Sequence, residues 1–257
     1  MARHDLGIEP LTARSLILST LLGTHPPRLP VRALLAVGEL FGFAEGTVRT
    51  ALSRMASAGE LDADNGRYAL GDRLRRRQAS QDAGRQAPPR RWDGSWWIAN
   101  VVAEGRSVGD RRGFRARMRD ARMGELRPDL WLRPANIAGP DPADDLLLTR
   151  GTVEGRDPQE LAAELWDLDE LRRTGEMLTR VADDALASLA QGDPSVLPST
   201  FMVSVAVVRY LLAEPQLPAD LVGGDWPADG LRPTYDELER AHGRVLSAFL
   251  AQATTAP

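Results

Sequence analysis

The sequence predicts an α+β fold, mainly helical. Apolar residues recur at helical spacing through much of the chain, as in Val48, Leu52 and Met55, or Leu161, Leu165 and Leu168. The pair Asn65-Gly66 stands between two short alternating segments, the strongest short-range hairpin signal. Between Trp96 and Thr152 the segments read in the order β-α-β-β, most of a ferredoxin-like split β-α-β unit.

Composition sets the bounds. A length of 257 residues allows one large domain or two to three small ones. With 43% apolar and 26% charged residues the chain has the make-up of a soluble globular protein. Cysteine is absent, which excludes disulfides, thiolate metal sites and a cysteine nucleophile. His4, His25 and His242 are scattered, so neither a metal site nor a cofactor is expected. No apolar run is expected to cross a bilayer, and Met-Ala-Arg-His-Asp at the N-terminus lacks the apolar core of a signal peptide. A cytoplasmic protein is expected. The net charge of −4 conceals an asymmetry. Residues 1–92 hold 14 Arg against 9 acids, and residues 93–257 hold 18 Arg against 27 acids. A basic N-terminal portion joined to an acidic remainder suits a DNA reader with a regulatory body.

Residues 1–71 form the first expected domain. Thr12 can cap a helix running to about Leu22, which Gly23-Thr-His-Pro-Pro stops. Pro30 fits the first turn of a second helix, Val31–Phe41, and Gly42 makes the turn after it. The third helix runs from about Ala44 to Ala58, with Val48, Leu52 and Met55 on its core face and Gly59 placed to end it. It lacks a Ser, Asp or Asn cap and carries Gly46 in its first turn, so a soft N-terminus is expected. Its other face presents Thr47, Arg49, Thr50, Ser53 and Arg54. Arginine can bond guanine O6 and N7 bidentately, and Thr and Ser reach bases or phosphates. The hairpin follows, with Leu61 and Ala63 before the turn, Tyr68 and Leu70 after it, and Arg67 beside it. Two helices, a third polar and cationic helix, and then a hairpin make the winged helix-turn-helix plan. Its recognition helix enters the major groove and its wing lies along the backbone. The candidate DNA contacts are therefore Thr47, Arg49, Thr50, Ser53, Arg54 and, on phosphate, Arg67. A solvated face on an ordinary amphipathic helix is the plainer alternative.

Residues 72–91 read as a linker that opens on an arginine run and holds Pro88-Pro89. A middle domain, 92–157, is expected to contain a buried strand Trp96–Ala103, an arginine-dense helix Val108–Met123, and strands Asp129–Arg133 and Asp145–Thr152. Residues 158–257 are expected to form a helical effector and dimerisation domain. Pro158–Leu189 is helical, and Phe201–Leu212 is a buried helix. Pro215–Pro233 is a proline-rich connection holding Trp226, and Tyr235–Gln252 closes the chain. A buried Arg209 would need an anion, either an internal carboxylate or a ligand.

The segments Val48-Arg49-Thr50-Ala51-Leu52-Ser53-Arg54-Met55, Trp92-Asp93-Gly94-Ser95-Trp96, Leu165-Trp166-Asp167-Leu168, and Pro215-Gln216-Leu217-Pro218 followed by Asp225-Trp226-Pro227 occur in this order. With them the chain, from about Thr12 to Leu250, resembles the PaaX family of bacterial transcriptional regulators, typified by repressors of phenylacetate catabolism. The resemblance implies a winged helix domain, a middle domain similar to the small Cas2 nucleases, and a C-terminal helical domain. It also implies a homodimeric repressor on palindromic double-stranded operator DNA, released by an acyl- or aryl-coenzyme A ligand. Arg209 and Trp226 are the residues expected to meet that ligand. Family members tend to carry a His and a pair of Arg ahead of the Pro-x-Leu-Pro segment; here the first two places hold Val205 and Val208, and Arg209 remains. Neither a catalytic residue nor an enzymatic activity is expected. The competing readings are a Cas2-like metal-dependent nuclease, for which Asp93 is the acid at the first strand, and a winged helix that binds protein instead of DNA.

Overall fold

The structure, a computed structural model, describes residues 11–24, 26–72, 74, 91–102 and 107–255. The expected N-terminal tail and most of the expected linker lie outside the described residues. By compactness the chain falls into two units, one made of 1–87, 181–206 and 234–257, the other of 88–180 and 207–233.

In the first unit Thr12 caps α1 (Ala13–Leu22), its side chain accepting from the Ser15 amide in a capping box. Strand β1 (Arg28–Pro30) leads directly into α2 (Val31–Leu40), for which Pro30 is the N-cap residue rather than part of the first turn. Helix α3 (Glu45–Ser57) is followed by β2 (Leu61–Asp64) and β3 (Arg67–Leu70). The three strands form an antiparallel sheet in the order β1-β3-β2. Strand β1 was not legible as a strand, because its partner lies far along the chain and Leu29 alone points into the core. Ile17, Leu21, Leu34, Val48, Leu52, Met55, Leu61 and Leu70 make one apolar cluster, with Leu250 of the last helix packed on its side.

The second unit holds β4 (Trp96–Val101), α4 (Val108–Asp120), β5 (Gly124–Arg127), β6 (Leu130–Pro134) and β7 (Leu146–Gly151). The sheet is antiparallel in the order β5-β6-β4-β7. Helix α4 therefore connects two strands with a third lying between them, a split β-α-β arrangement. One strand more than expected is present: β5 precedes β6. Through alternation Ala99 and Trp131 face α4, meeting Phe114 and Met118, while Trp96 and Leu132 face the opposite way onto Leu161 and Leu165.

The expected single helix after Pro158 is two, α5 (Pro158–Leu165) and α6 (Leu168–Leu189), broken where Trp166 takes extended backbone angles. Next come α7 (Leu197–Ala213), the short α8 (Ala219–Val222) and α9 (Pro227–Thr255). Helix α9 starts eight residues earlier than the expected closing helix and holds Pro233 inside it. Contrary to the sequence reading, the segment 194–213 is long and apolar enough to cross a membrane. Its Leu197, Thr200, Val203, Val207, Tyr210 and Leu211 are buried inside the protein, as in a core helix.

Within the first unit α7 and α9 meet at a polar contact. The Thr200 hydroxyl donates to the Val196 carbonyl and so accepts from Nδ1–H of His242, 3.1 Å away. Phe201, next along α7, lies edge-on to Phe41, which ends α2. Burial pushes the His242 imidazole down to about 4. Its folded value is below its unfolded value of about 6.5. Stability is therefore complete above pH 6.5 and falls as pH drops toward 4, by about 2–3 kcal/mol. Urea unfolding at pH 7.5 and 4.5 should show this loss in the wild type, and a smaller one in His242→Gln.

Candidate nucleic-acid interface

Helix α3 is held by a narrow, fully buried stripe. Val48 and Leu52 are 1% exposed and Met55 is 2% exposed. A Cβ placed on Gly38 of α2 would sit 2.5 Å from Val48 Cγ2, so the glycine sets how closely the two helices approach. Thr47, Arg49, Thr50, Ser53 and Arg54 are all exposed. Arg49 Nε donates to Glu45 Oε1 at 2.7 Å, one turn earlier, and Thr50 Oγ1 donates to the Gly46 carbonyl. An exposed pair of this kind is worth well under 1 kcal/mol, so Arg49 can exchange Glu45 for another acceptor. Ala44 stands at the N-cap with no side-chain hydrogen bond, in line with the sequence.

The hairpin turn is made by Asn65 at φ 47° and Gly66 at φ 70°, the left-handed pair of a type I′ turn. Register places Asp64 opposite Arg67, Ala63 opposite Tyr68 and Leu61 opposite Leu70. Leu61 and Leu70 anchor the ribbon in the core while Arg67 is exposed beside the turn. Arg28 of β1 pairs with Asp64 at 2.6 Å, and Arg14 of α1 reaches Glu60 with two guanidinium nitrogens. The six predicted contact residues thus divide between one helix face and the base of one turn.

The residues expected to meet an effector are placed differently. Arg209 is exposed, not buried. The buried stripe of α7 runs through Leu197, Thr200, Val203, Val207, Tyr210 and Leu211, and Arg209 projects away from it. The premise of a charge buried in an apolar helix is therefore corrected. Trp226 is 4% exposed. Its Nε1 donates to Glu214 Oε1 at 3.2 Å, and the Arg172 guanidinium lies over its ring. Asp93, the one acid singled out for a nuclease, accepts from the Ser95 amide and hydroxyl and pairs with Arg150 at 2.7 Å.

Around Glu214 lies a polar cluster that the sequence reading missed. Glu214 is 1% exposed and accepts from the Gln216 amide, from Trp226 and from Arg232 at 2.7 Å. Arg122 donates to the carbonyls of Leu211 and Glu214. Arg133, with no exposed surface, donates to the carbonyls of Pro134, Ala121 and Pro215 and to Asn136 Oδ1. Asn136 donates to the Gln216 carbonyl at 2.7 Å. Burial first, and then the neighbouring Arg122, push the Arg133 guanidinium down to about 9, against the pull of Glu214. Three arginines surround one carboxylate, and two of them bind carbonyls at the exit of α7, where the helix dipole is negative. Both Arg122 and Gln216 adopt φ 57°, backbone strain concentrated at this cluster.

A sequence model of the PaaX-like protein family matches residues 12–74, the stretch from the cap of α1 through the hairpin. The transcriptional repressor PaaX of Escherichia coli (strain K12) is 25% identical over 97% of this chain and 86% of its own length. Among solved structures, an uncharacterized protein, Rv0674, from Mycobacterium tuberculosis superposes with a TM-score of 0.76. It is 36% identical, covering 93% of this chain and 99% of its own. Residues 12–74 thus carry the PaaX-like family's segment, and the similarity to the repressor and to the Mycobacterium tuberculosis protein extends over nearly the whole chain.

Proposed function

We propose that the protein is a DNA-binding transcriptional regulator and not an enzyme, acting as a homodimeric repressor. In this reading residues 1–71 are a winged helix-turn-helix domain. Helix α3 presents Thr47, Arg49, Thr50, Ser53 and Arg54 to the major groove, and Arg67 meets a phosphate from the wing. The observation that carries the proposal is the exposed face of α3, polar and cationic, followed at once by a short type I′ hairpin. The split β-α-β unit is the ferredoxin-like, Cas2-like middle domain of the same proposal. A dimer follows because one winged helix reads too few base pairs for genomic specificity, and operators mirror two-fold symmetry. An acyl-coenzyme A ligand is the proposed releasing signal, with Arg209 as its exposed cation and the Trp226 region as the part that responds.

A mobility-shift assay on the DNA upstream of the protein's own gene tests the reading, run with and without divalent metal. A retarded, intact duplex is the expected result. No retardation at micromolar protein, or metal-dependent cleavage, would overturn it.

A further inference from the structure

Helix α4 carries a second cationic surface that the recognition helix does not account for. Arg111, Arg112, Arg115 and Arg119 are exposed. At about 100° per residue they fall within one arc of about 100° on the helix, beside the stripe of the buried Phe114 and Met118, which borders the arc on the Arg111 side. Neither acid of the helix, Asp110 or Asp120, lies in that arc, and Asp110 is turned back onto Ser107 as part of the N-terminal cap. Arg115 is tied to Glu125 at 2.9 Å, and Arg117, on the inner side, to Asp145. Among the described residues no carboxylate pairs with Arg111, Arg112 or Arg119. This stripe stands in the part of the sequence where acids outnumber arginines by 27 to 18, so a general excess of arginine does not explain it.

The face is convex and belongs to a straight helix, which disfavours a small anionic ligand, since such ligands bind in concave sites. Gly113 and Ala116 flank the arginines on one side, and Val108, one turn earlier on the same face, is exposed. From Arg111 to Arg119 the helix rises about 12 Å. Along one strand of a duplex that length passes three or four phosphates, at about 3.4 Å of axis each. A repeating, sequence-independent polyanion is the partner that matches charge, shape and spacing. We propose that the α4 face binds the phosphate backbone of double-stranded DNA, adding a non-specific contact to the base reading assigned to α3. This inference rests on the DNA-binding function proposed above.

The test compares the full-length wild type with the triple variant Arg111→Ala, Arg112→Ala, Arg119→Ala, which leaves the ion-paired Arg115 and Arg117 in place. Binding to a 40-base-pair duplex of unrelated sequence is followed by fluorescence anisotropy across a salt series. Each phosphate contact contributes about 0.9 to the slope of log K against log salt, so the variant should lose roughly 2 to 3 from that slope. Its circular dichroism melting curve should match the wild type. An unchanged slope in a variant that still binds DNA overturns the α4 contact alone. A wild type that binds no duplex, this one or the upstream region, overturns the DNA-binding reading itself. A variant with unchanged slope but altered mass by light scattering would make the face a protein contact, which also overturns the proposal.

Discussion

Glu214→Gln is expected to destabilise the protein by about 3 kcal/mol. Removing one partner of a buried ion pair leaves the other charge uncompensated, at a typical cost of 3–5 kcal/mol. The low end applies because the Arg232 side chain keeps 28% of its surface in solvent. The amide would also turn a donor, in place of an acceptor, toward Arg232, while Arg122 and Arg133 lose the neighbouring carboxylate that favours their charged forms. Urea unfolding gives the measurement, as a shift in midpoint at unchanged slope. A second variant separates charge from shape: Glu214→Gln combined with Arg232→Met should recover part of the loss, because the stranded cation is gone. A single variant within 0.5 kcal/mol of wild type would mean that the cluster does not hold this part of the fold.

Arg49→Ala and Arg54→Ala are each expected to weaken operator binding by about 1–3 kcal/mol, roughly 5- to 150-fold, while leaving the fold intact. Neither side chain supports the core, since the residues that do are Val48, Leu52 and Met55 on the other side of the same helix. The loss should be confined to specific sites. Arg67→Ala should behave differently, weakening operator and unrelated duplex alike and flattening the salt dependence by about 0.9. Anisotropy titrations on the two duplexes separate the cases. Equal operator affinity for wild type and both α3 variants would remove the base-reading role from this face.

The parts of the molecule written in local pattern were readable from the sequence. Val48, Leu52 and Met55 give the orientation of α3 by spacing alone, and Asn65-Gly66 specifies the hairpin and its register. The exposed face of α3 follows from its buried one. What was not readable depends on partners distant in the chain. Strand β1 exists because β3 offers it an edge. Arg122, Arg133 and Asn136 satisfy backbone carbonyls of residues 211–216, and carbonyls leave no mark on a sequence. Arg209 misled because α7 is apolar on more than one side. Leu212 is 43% exposed, so apolar composition did not distinguish the covered stripe from the wet one. Pro233 misled because proline usually ends a helix, whereas here it stands inside one.

The placement of Leu250 against the core of helices α1–α3 has a consequence for how the protein is made. That core is sealed by a residue roughly 180 positions beyond the hairpin. At about 5–20 residues per second, some 10–35 s of translation separate the two. During this interval the nascent N-terminal segment carries an open apolar flank on the ribosome, available to chaperones and to neighbouring chains. The core of the first three helices is thus completed only once the last helix has been made.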